Sequence, residues 1–189
     1  MHKWSAVLAL LAACAVHANA QSIPSGNVYV GYSYLSAPPS PSLTSRNNLN
    51  GWNSSVEFKV APWVGVVADF GGNYGTFTAD TPCVPGVGGC GPVGFDTKLH
   101  TFLFGPRLSA SVGRFRPFAH FLVGGAHSSG TGAGLTRSDT SSAVALGGGL
   151  DYKVVKGIAW RAQFDDLVTN ALSSSQNNLR FSTGIVFRF

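Results

Sequence analysis

Apolar and polar residues alternate with a period of two along most of this chain. Residues 179–189 are the clearest case. Leu179, Phe181, Thr183, Ile185, Phe187 and Phe189 fall on one face, and Arg180, Ser182, Gly184, Val186 and Arg188 on the other. Such alternation marks a strand with one apolar and one polar side. At strand rise and a tilt of about 45°, roughly ten residues cross a hydrocarbon core.

The same pattern recurs upstream. In 27–35, Val28, Val30, Tyr32 and Tyr34 oppose Tyr29, Gly31 and Ser33. In 51–60, Trp52, Val56, Phe58 and Val60 oppose Asn53, Ser55, Glu57 and Lys59. In 63–74, Val64, Val66, Ala68, Phe70 and Tyr74 oppose Gly65, Val67, Asp69, Gly71 and Asn73. A fourth strand runs from 97 to about 112, with Phe102, Phe104 and Leu108 against Thr101, Gly105, Arg107 and Ser109. Residues 117–127 form a fifth whose phase the pattern leaves open, since both faces are apolar or small. In 141–153, Val144, Leu146, Leu150 and Tyr152 oppose Ala145, Gly147, Gly149 and Asp151. In 157–169, Ile158, Trp160, Ala162 and Phe164 oppose Ala159, Arg161, Gln163 and Asp165.

Eight strands are therefore expected, and their connections alternate. Residues 36–50, 75–96, 128–140 and 170–178 read as long polar loops, whereas 61–62, 113–116 and 154–156 read as tight turns. An antiparallel up-and-down barrel with all its long loops at one end predicts this sorting. The expected fold is all-β, an eight-stranded antiparallel up-and-down transmembrane β-barrel. Within hydrocarbon every backbone polar group needs a partner in the protein, so the sheet must close. The polar face must point inward, because Arg or Lys set against lipid costs up to about 2–4 kcal/mol near the midplane. The interior then holds a charge network of Glu57, Lys59, Asp69, Arg107, Asp151, Arg161, Asp165, Arg180 and Arg188, five cations and four anions. A near-neutral set can be hydrogen-bonded in so confined a space, whereas a lone charge is costly. Tyr34, Trp52 and Tyr74 near one end, and Trp63, Tyr152 and Trp160 near the other, suggest two interfacial girdles.

Composition changes this picture mainly at the N-terminus. Residues 1–3 are a short basic start, 6–16 an apolar run, and Ala18-Asn19-Ala20 a small-x-small cleavage pattern. Residues 1–20 are expected to be a cleaved signal peptide and 21–189 the barrel domain. Leu11-Ala12-Ala13-Cys14 resembles a lipoprotein cleavage box but falls early, so the Ala20 site is preferred. With Lys3 removed, twelve Lys and Arg face eight Asp and Glu, a scattered excess of +4 that gives no basic run for nucleic acid. After the signal region no apolar stretch is long enough for a membrane-spanning helix.

Three segments carry a family resemblance: Phe102-Leu103-Phe104-Gly105-Pro106-Arg107, Pro117-Phe118-Ala119-His120 with the Leu122-Val123-Gly124-Gly125-Ala126 that follows, and Ala145-Leu146-Gly147-Gly148-Gly149-Leu150-Asp151-Tyr152. They are similar to segments of the bacterial outer-membrane β-barrel domain family, the relatives of the OmpA transmembrane domain and of OmpX. The terminal Phe187-Arg188-Phe189 resembles the closing strand of such barrels. The resemblance implies an assembly signal at Phe187 and Phe189 read by the barrel-assembly machinery, surrounding outer-membrane lipids, and a location in the cell outer membrane. It also implies a monomer whose loops can meet an extracellular partner. Unlike full-length OmpA, no peptidoglycan-binding domain is expected.

Candidate chemistry is sparse. Cys83 and Cys90 lie in a Gly/Pro-rich loop of an exported chain, where an oxidising compartment favours a disulfide. Closing that ring would restrict the loop by roughly 2–3 kcal/mol. No His neighbours them in sequence, so a metal site is not expected. His127-Ser128-Ser129 invites comparison with lipid A deacylase barrels, but its place at the fifth strand, in a Ser-rich stretch, does not fit. Asp165-Asp166 could imitate a paired carboxylate site, yet adjacent strand residues face opposite ways. His100 and His120 read as girdle or lumen residues. No catalytic residue, cofactor or metal is assigned. The expectation is a non-enzymatic envelope-structural or surface-interaction (adhesion) protein with a filled polar lumen and four long surface loops. A small porin or a lipid-modifying barrel enzyme are the alternatives.

Overall fold

The computed structural model describes residues 25–37, 47–80, 92–132, 135–171 and 174–189. Eight strands follow one another: β1 Gly26–Ala37, β2 Asn47–Lys59, β3 Val64–Asp80, β4 Pro92–Ser109, β5 Phe115–Gly132, β6 Leu135–Val155, β7 Ile158–Ala171 and β8 Ser174–Arg188. Each pairs antiparallel with its sequence neighbour, and β8 returns to β1, from Asn27 opposite Arg188 to Ser36 opposite Leu179. The sheet is a closed barrel with no free edge along its shared length. The described residues contain no helix long and apolar enough to cross a membrane.

Cross-strand partners can be followed once round from Gly26. They lead through Phe58, Val66, Pro106 and, across a gap in the β4–β5 ladder, Phe121. The path continues through Leu146, Asp166 and Leu179 and re-enters β1 at Ser36, ten residues above its start. For eight strands that stagger corresponds to a tilt of about 43° and an interior just wide enough to be filled by side chains.

The phase of seven strands follows the alternation in the sequence. Val30, Phe58, Phe102, Phe104, Leu146, Phe164, Leu179 and Phe187 project outward, while Tyr29, Glu57, Asp69, Arg107, Asp151, Arg161 and Arg180 are buried inside. For β5 the inward set is Phe118, His120, Leu122 and Ala126, and Phe121 and Val123 face out. Two tight turns rest on glycine in the left-handed region. Gly113 (φ 61°) sits between Val112 and its bridge partner Phe115, and Gly157 (φ 82°) between Val155 and Ile158. Short hairpins favour positive φ at such positions, which glycine adopts without a Cβ clash.

The loops differ from expectation. Residues 128–140 were expected to form a loop, but β5 runs to Gly132 and β6 starts at Leu135, with Ser128 opposite Asp139 and Thr131 opposite Thr136. Likewise 170–178 is mostly strand, with Ala171 paired to Ser174. β3 and β4 continue through Asp80 and Pro92, and β1 and β2 through Ala37 and Asn47. Of the four expected long loops, two are thus largely paired as extended hairpins, and what is left of the other two, 38–46 and 81–91, lies outside the described residues. The reason is that Ser, Thr, Gly and Asp mark a segment as wet, and a hairpin standing in water above the membrane is wet on both faces.

Candidate functional site

The lumen is built in layers. At the turn end, Lys59, Asn27, Asp151 and Arg188 lie beside Arg116 and Ser109. Asp151 accepts from Arg161 Nε at 2.7 Å and from Arg188 Nη2 at 2.9 Å. Glu57 is held by Lys59 Nζ at 2.9 Å, Arg107 Nη1 at 3.2 Å and Asn27 Nδ2 at 2.8 Å. Above them Arg180 spans two carboxylates, donating from Nη1 to Asp69 Oδ1 at 2.9 Å and from Nε to Asp165 Oδ2, also at 2.9 Å. Asn53 Nδ2 donates to both Asp69 oxygens, and Gln163 Nε2 to Asp165 Oδ2. All nine charged residues read from the sequence as inward are brought together here, each in at least one ion pair.

Two lumen partners were left without a role by the sequence: His120, read as a girdle or lumen residue, and Phe118, on the strand whose phase was open. His120 lies at the centre, its Nε2 2.7 Å from Asp165 Oδ1 and its Nδ1 3.3 Å from Arg107 Nη2. Arginine can only donate, so in this arrangement Nδ1 accepts and Nε2–H donates to Asp165. Phe118 is the second. The guanidinium carbons of Arg107 and Arg161 lie 4.4 and 4.6 Å from its ring centroid, and Tyr29 stands 5.1 Å from Arg161 on another side. Cation–π attraction thus supplements ion pairing where water is scarce. Arg116, expected in a turn, belongs to β5 and faces the lumen mouth. Placing the turn at Gly113-Arg114 would have exposed this signal, because Arg116, Phe118 and His120 then share one face. Space for the network comes from small neighbours: a Cβ on Gly147 would run into Asp165 Oδ1 and the Phe164 carbonyl.

Toward the loop end the lumen loses its charges and becomes a mixture of leucines with the neutral polar side chains Asn73, Thr101, Thr169 and Asn178. Leu35, Leu49, Leu99 and Leu167 are buried there with Ala126 and Ala143, above Leu103 and Leu122. This collar caps the charged layers on the side away from the turns.

The remaining candidates are not brought together. His127 faces outward on β5, opposite His100, and its Nδ1 contacts Thr140 Oγ1 at 2.8 Å. Ser129, the serine two residues along that the comparison needs, falls on the same face as His127, opposite Lys98 and Ser138, whereas Ser128 faces the other way. Asp165 is buried in the lumen while Asp166 is exposed on the outer face. His100 Nε2 lies 3.1 Å from the Tyr74 hydroxyl at the rim of the apolar band. No cluster of three or more metal-ligating side chains occurs among the described residues. Cys83, Cys90 and residues 1–20 lie outside the described residues. Phe187 is outward opposite Val28 and Ile158, and the Phe189 main chain pairs with Gly26 through bonds of 3.0 and 3.1 Å.

A closed barrel with an apolar exterior, an ion-paired interior and short turns at one end defines a transmembrane β-barrel of the outer-membrane class. The chain belongs to the outer membrane protein beta-barrel domain family, whose pattern it matches over residues 6–189, and its location is the outer membrane. No curated protein matches it. Among solved structures, Neisserial surface protein A is similar (TM-score 0.65, 12% identity, 87% of this chain and 97% of that one). Ail, the attachment invasion locus protein of Yersinia pestis, in complex with the heparin analogue sucrose octasulfate, has a TM-score of 0.62 at 16% identity, covering 88% and 99%. The outer membrane protease OmpT from Escherichia coli has a TM-score of 0.52 at 9% identity, covering 90% and 99%. At such identities the likeness is one of fold.

Proposed function

We propose that this protein is a sealed, non-enzymatic barrel that acts at the cell surface, in surface attachment or envelope integrity, through the wall formed by β3 to β6. The observation that carries this is the unequal height of the strands. β3, β4, β5 and β6 have 17, 18, 18 and 21 residues, whereas β1, β2, β7 and β8 have 12, 13, 14 and 15. At this tilt the β5–β6 hairpin stands roughly 15–20 Å beyond a band about 25 Å tall. Its side chains are Ser-, Thr- and Gly-rich, as for a surface presented to water. Long polar projections positioned by a rigid scaffold are where binding residues concentrate.

The ligand of Ail is not carried over. The projecting parts of β3 to β6 contain Lys98 and Arg137 against Asp80, Asp96 and Asp139, a balance that does not attract a polyanion. Catalysis finds no support either. The His120–Asp165 pair is enclosed, and the partner of His127 is a threonine rather than an acid. The same reading includes cleavage after Ala20, a Cys83–Cys90 disulfide, and insertion as a monomer by the barrel-assembly machinery through Phe187 and Phe189.

The test removes the projection and keeps the barrel. Deleting residues 129–138 and joining Ser128 to Asp139 by a two-residue Asn-Gly turn should leave a folded protein. Cells carrying it should lose attachment to surfaces or show increased detergent sensitivity, as null cells do. Wild-type behaviour in both assays would overturn the surface role. A change in lipid A acylation on expression of the intact protein would overturn its non-enzymatic part.

A further inference from the structure

The turn end of the lumen opens into a pocket of about 550 Å³, lined by Asn27, Lys59, Arg116 and Arg188 together with Ser25 and the Ala61-Pro62 turn. Among the described residues no acidic side chain lines it. The acids nearest are Glu57 and Asp151, which sit deeper and are already shared: Glu57 by Lys59 and Arg107, Asp151 by Arg161 and Arg188. Five cations therefore meet two carboxylates at this end of the barrel. Even with a carboxylate at Phe189 counted against them, the excess stays positive.

Hydrogen bonding tells the same story atom by atom. Arg116 has no ion pair among the described residues. Its Nε and Nη2 both donate to Ser109 Oγ, at 3.2 and 3.1 Å, and Lys59 Nζ donates to that same oxygen at 2.5 Å. A hydroxyl oxygen has two lone pairs, and here it meets three donors from two cations. Arg188 adds a buried Nε that has no partner among the described residues. Guanidinium groups are suited to bind oxyanions with paired N–H bonds, and a tetrahedral oxyanion offers several acceptors at once. Low-dielectric walls and charge of one sign focus the field on such a cleft.

We propose that this mouth is a binding site for a phosphate-bearing anion, gripped by Arg116, Lys59 and Arg188. The phosphate can belong to a soluble periplasmic molecule or to the headgroup of an inner-leaflet phospholipid, which lies at the same level. The site faces away from the projecting wall and is independent of the surface role.

The experiment uses the full protein extracted from outer membranes into nonionic, phosphate-free detergent. Calorimetric titration with inorganic pyrophosphate, and separately with dihexanoyl phosphatidylglycerol, should give saturable single-site binding to at least one probe. Pyrophosphate alone assigns a soluble anion, the phospholipid alone a headgroup, and both the phosphate itself. Arg116→Gln should weaken binding about tenfold, the loss of one charge-assisted contact. Arg114→Gln, which removes an exposed cation from the adjacent turn, should leave binding unchanged. Phenylglyoxal modification of Arg116 in the unaltered protein should be slowed by the bound probe, a readout that does not depend on a variant folding. No saturation with either probe, equal weakening by Arg114→Gln, or unprotected Arg116 would each overturn the site.

Discussion

Among the described residues Arg180 is the only cation bonded to Asp69, and one of two groups with ionisable nitrogen that contact Asp165. The two carboxylates and the guanidinium are all buried, so each depends on the others for its solvation. Replacing Arg180 by Met would leave two carboxylates facing each other across an apolar side chain. Breaking a buried pair in this way typically costs about 3–5 kcal/mol, more than the pair itself contributes, because the orphaned charge has no water to return to. Urea unfolding of the protein in lipid vesicles, followed by tryptophan fluorescence, should show that loss as a lower midpoint. Adding Asp165→Asn to Arg180→Met should recover part of it. An unchanged midpoint for Arg180→Met would mean the lumen is wet enough to solvate both acids. Phe118 makes a comparable argument for the arginines beneath. Phe118→Leu keeps the apolar volume roughly but removes two cation–π contacts, each about 0.5–2 kcal/mol, and should lower the same midpoint.

At the scale of the strand, direction matters more than identity. Phe121 and Leu122 are neighbours of similar size, but Phe121 faces lipid and Leu122 the lumen. Phe121→Arg should cost about 2–4 kcal/mol of unfolding free energy in vesicles if that face meets hydrocarbon near the midplane. Arginine at Thr136, in the projecting part of β6, should change stability by no more than about 0.5 kcal/mol. Equal effects at the two positions would contradict the assignment of β5. This strand also marks how far the sequence could be read. Where inward positions carry formal charge, as in β2, β7 and β8, a slip of one residue would push Arg or Asp into lipid, so the phase was legible. In β5 the inward face carries Phe118, His120, Leu122 and Ala126, and its one formal charge, Arg116, falls in the stretch that reads as a turn. Phe118 is inside because two arginines from other strands, Arg107 and Arg161, stack on it, and no pattern within β5 announces partners supplied from elsewhere. His120 was obscure for the same reason: its role is set by Asp165, forty-five positions away. The loop lengths failed differently. Polar composition reports exposure, and both a loop and a free-standing hairpin are exposed; only the cross-strand register, such as Ser128 with Asp139, distinguishes them.

For the whole molecule, the layering of the lumen decides what can pass. The ion-paired layers alone could be imagined to rearrange and admit water, since each charge has several alternative partners. The collar of Leu35, Leu49, Leu99 and Leu167 offers a permeating solute far less exchange, because an ion or sugar would have to shed its hydration with only neutral side chains such as Asn73, Thr101, Thr169 and Asn178 to replace part of it. Two unlike barriers in series are harder to open than either one, and closure of β8 on β1 prevents the wall from widening to compensate. Liposomes containing the protein should therefore not swell in arabinose or larger sugars. Leu49→Ala with Leu99→Ala and Leu167→Ala should still give no flux, since the bridge from Asp69 through Arg180 to Asp165 remains below. The same closure makes unfolding cooperative, because no strand can leave without breaking two ladders. An unboiled sample in dodecyl sulfate should thus migrate as one compact band, shifted from the boiled one, with nothing between. Measurable sugar flux through the unaltered protein would mean that the charged layers and the collar move together, and that the barrel is a gated channel rather than a sealed support.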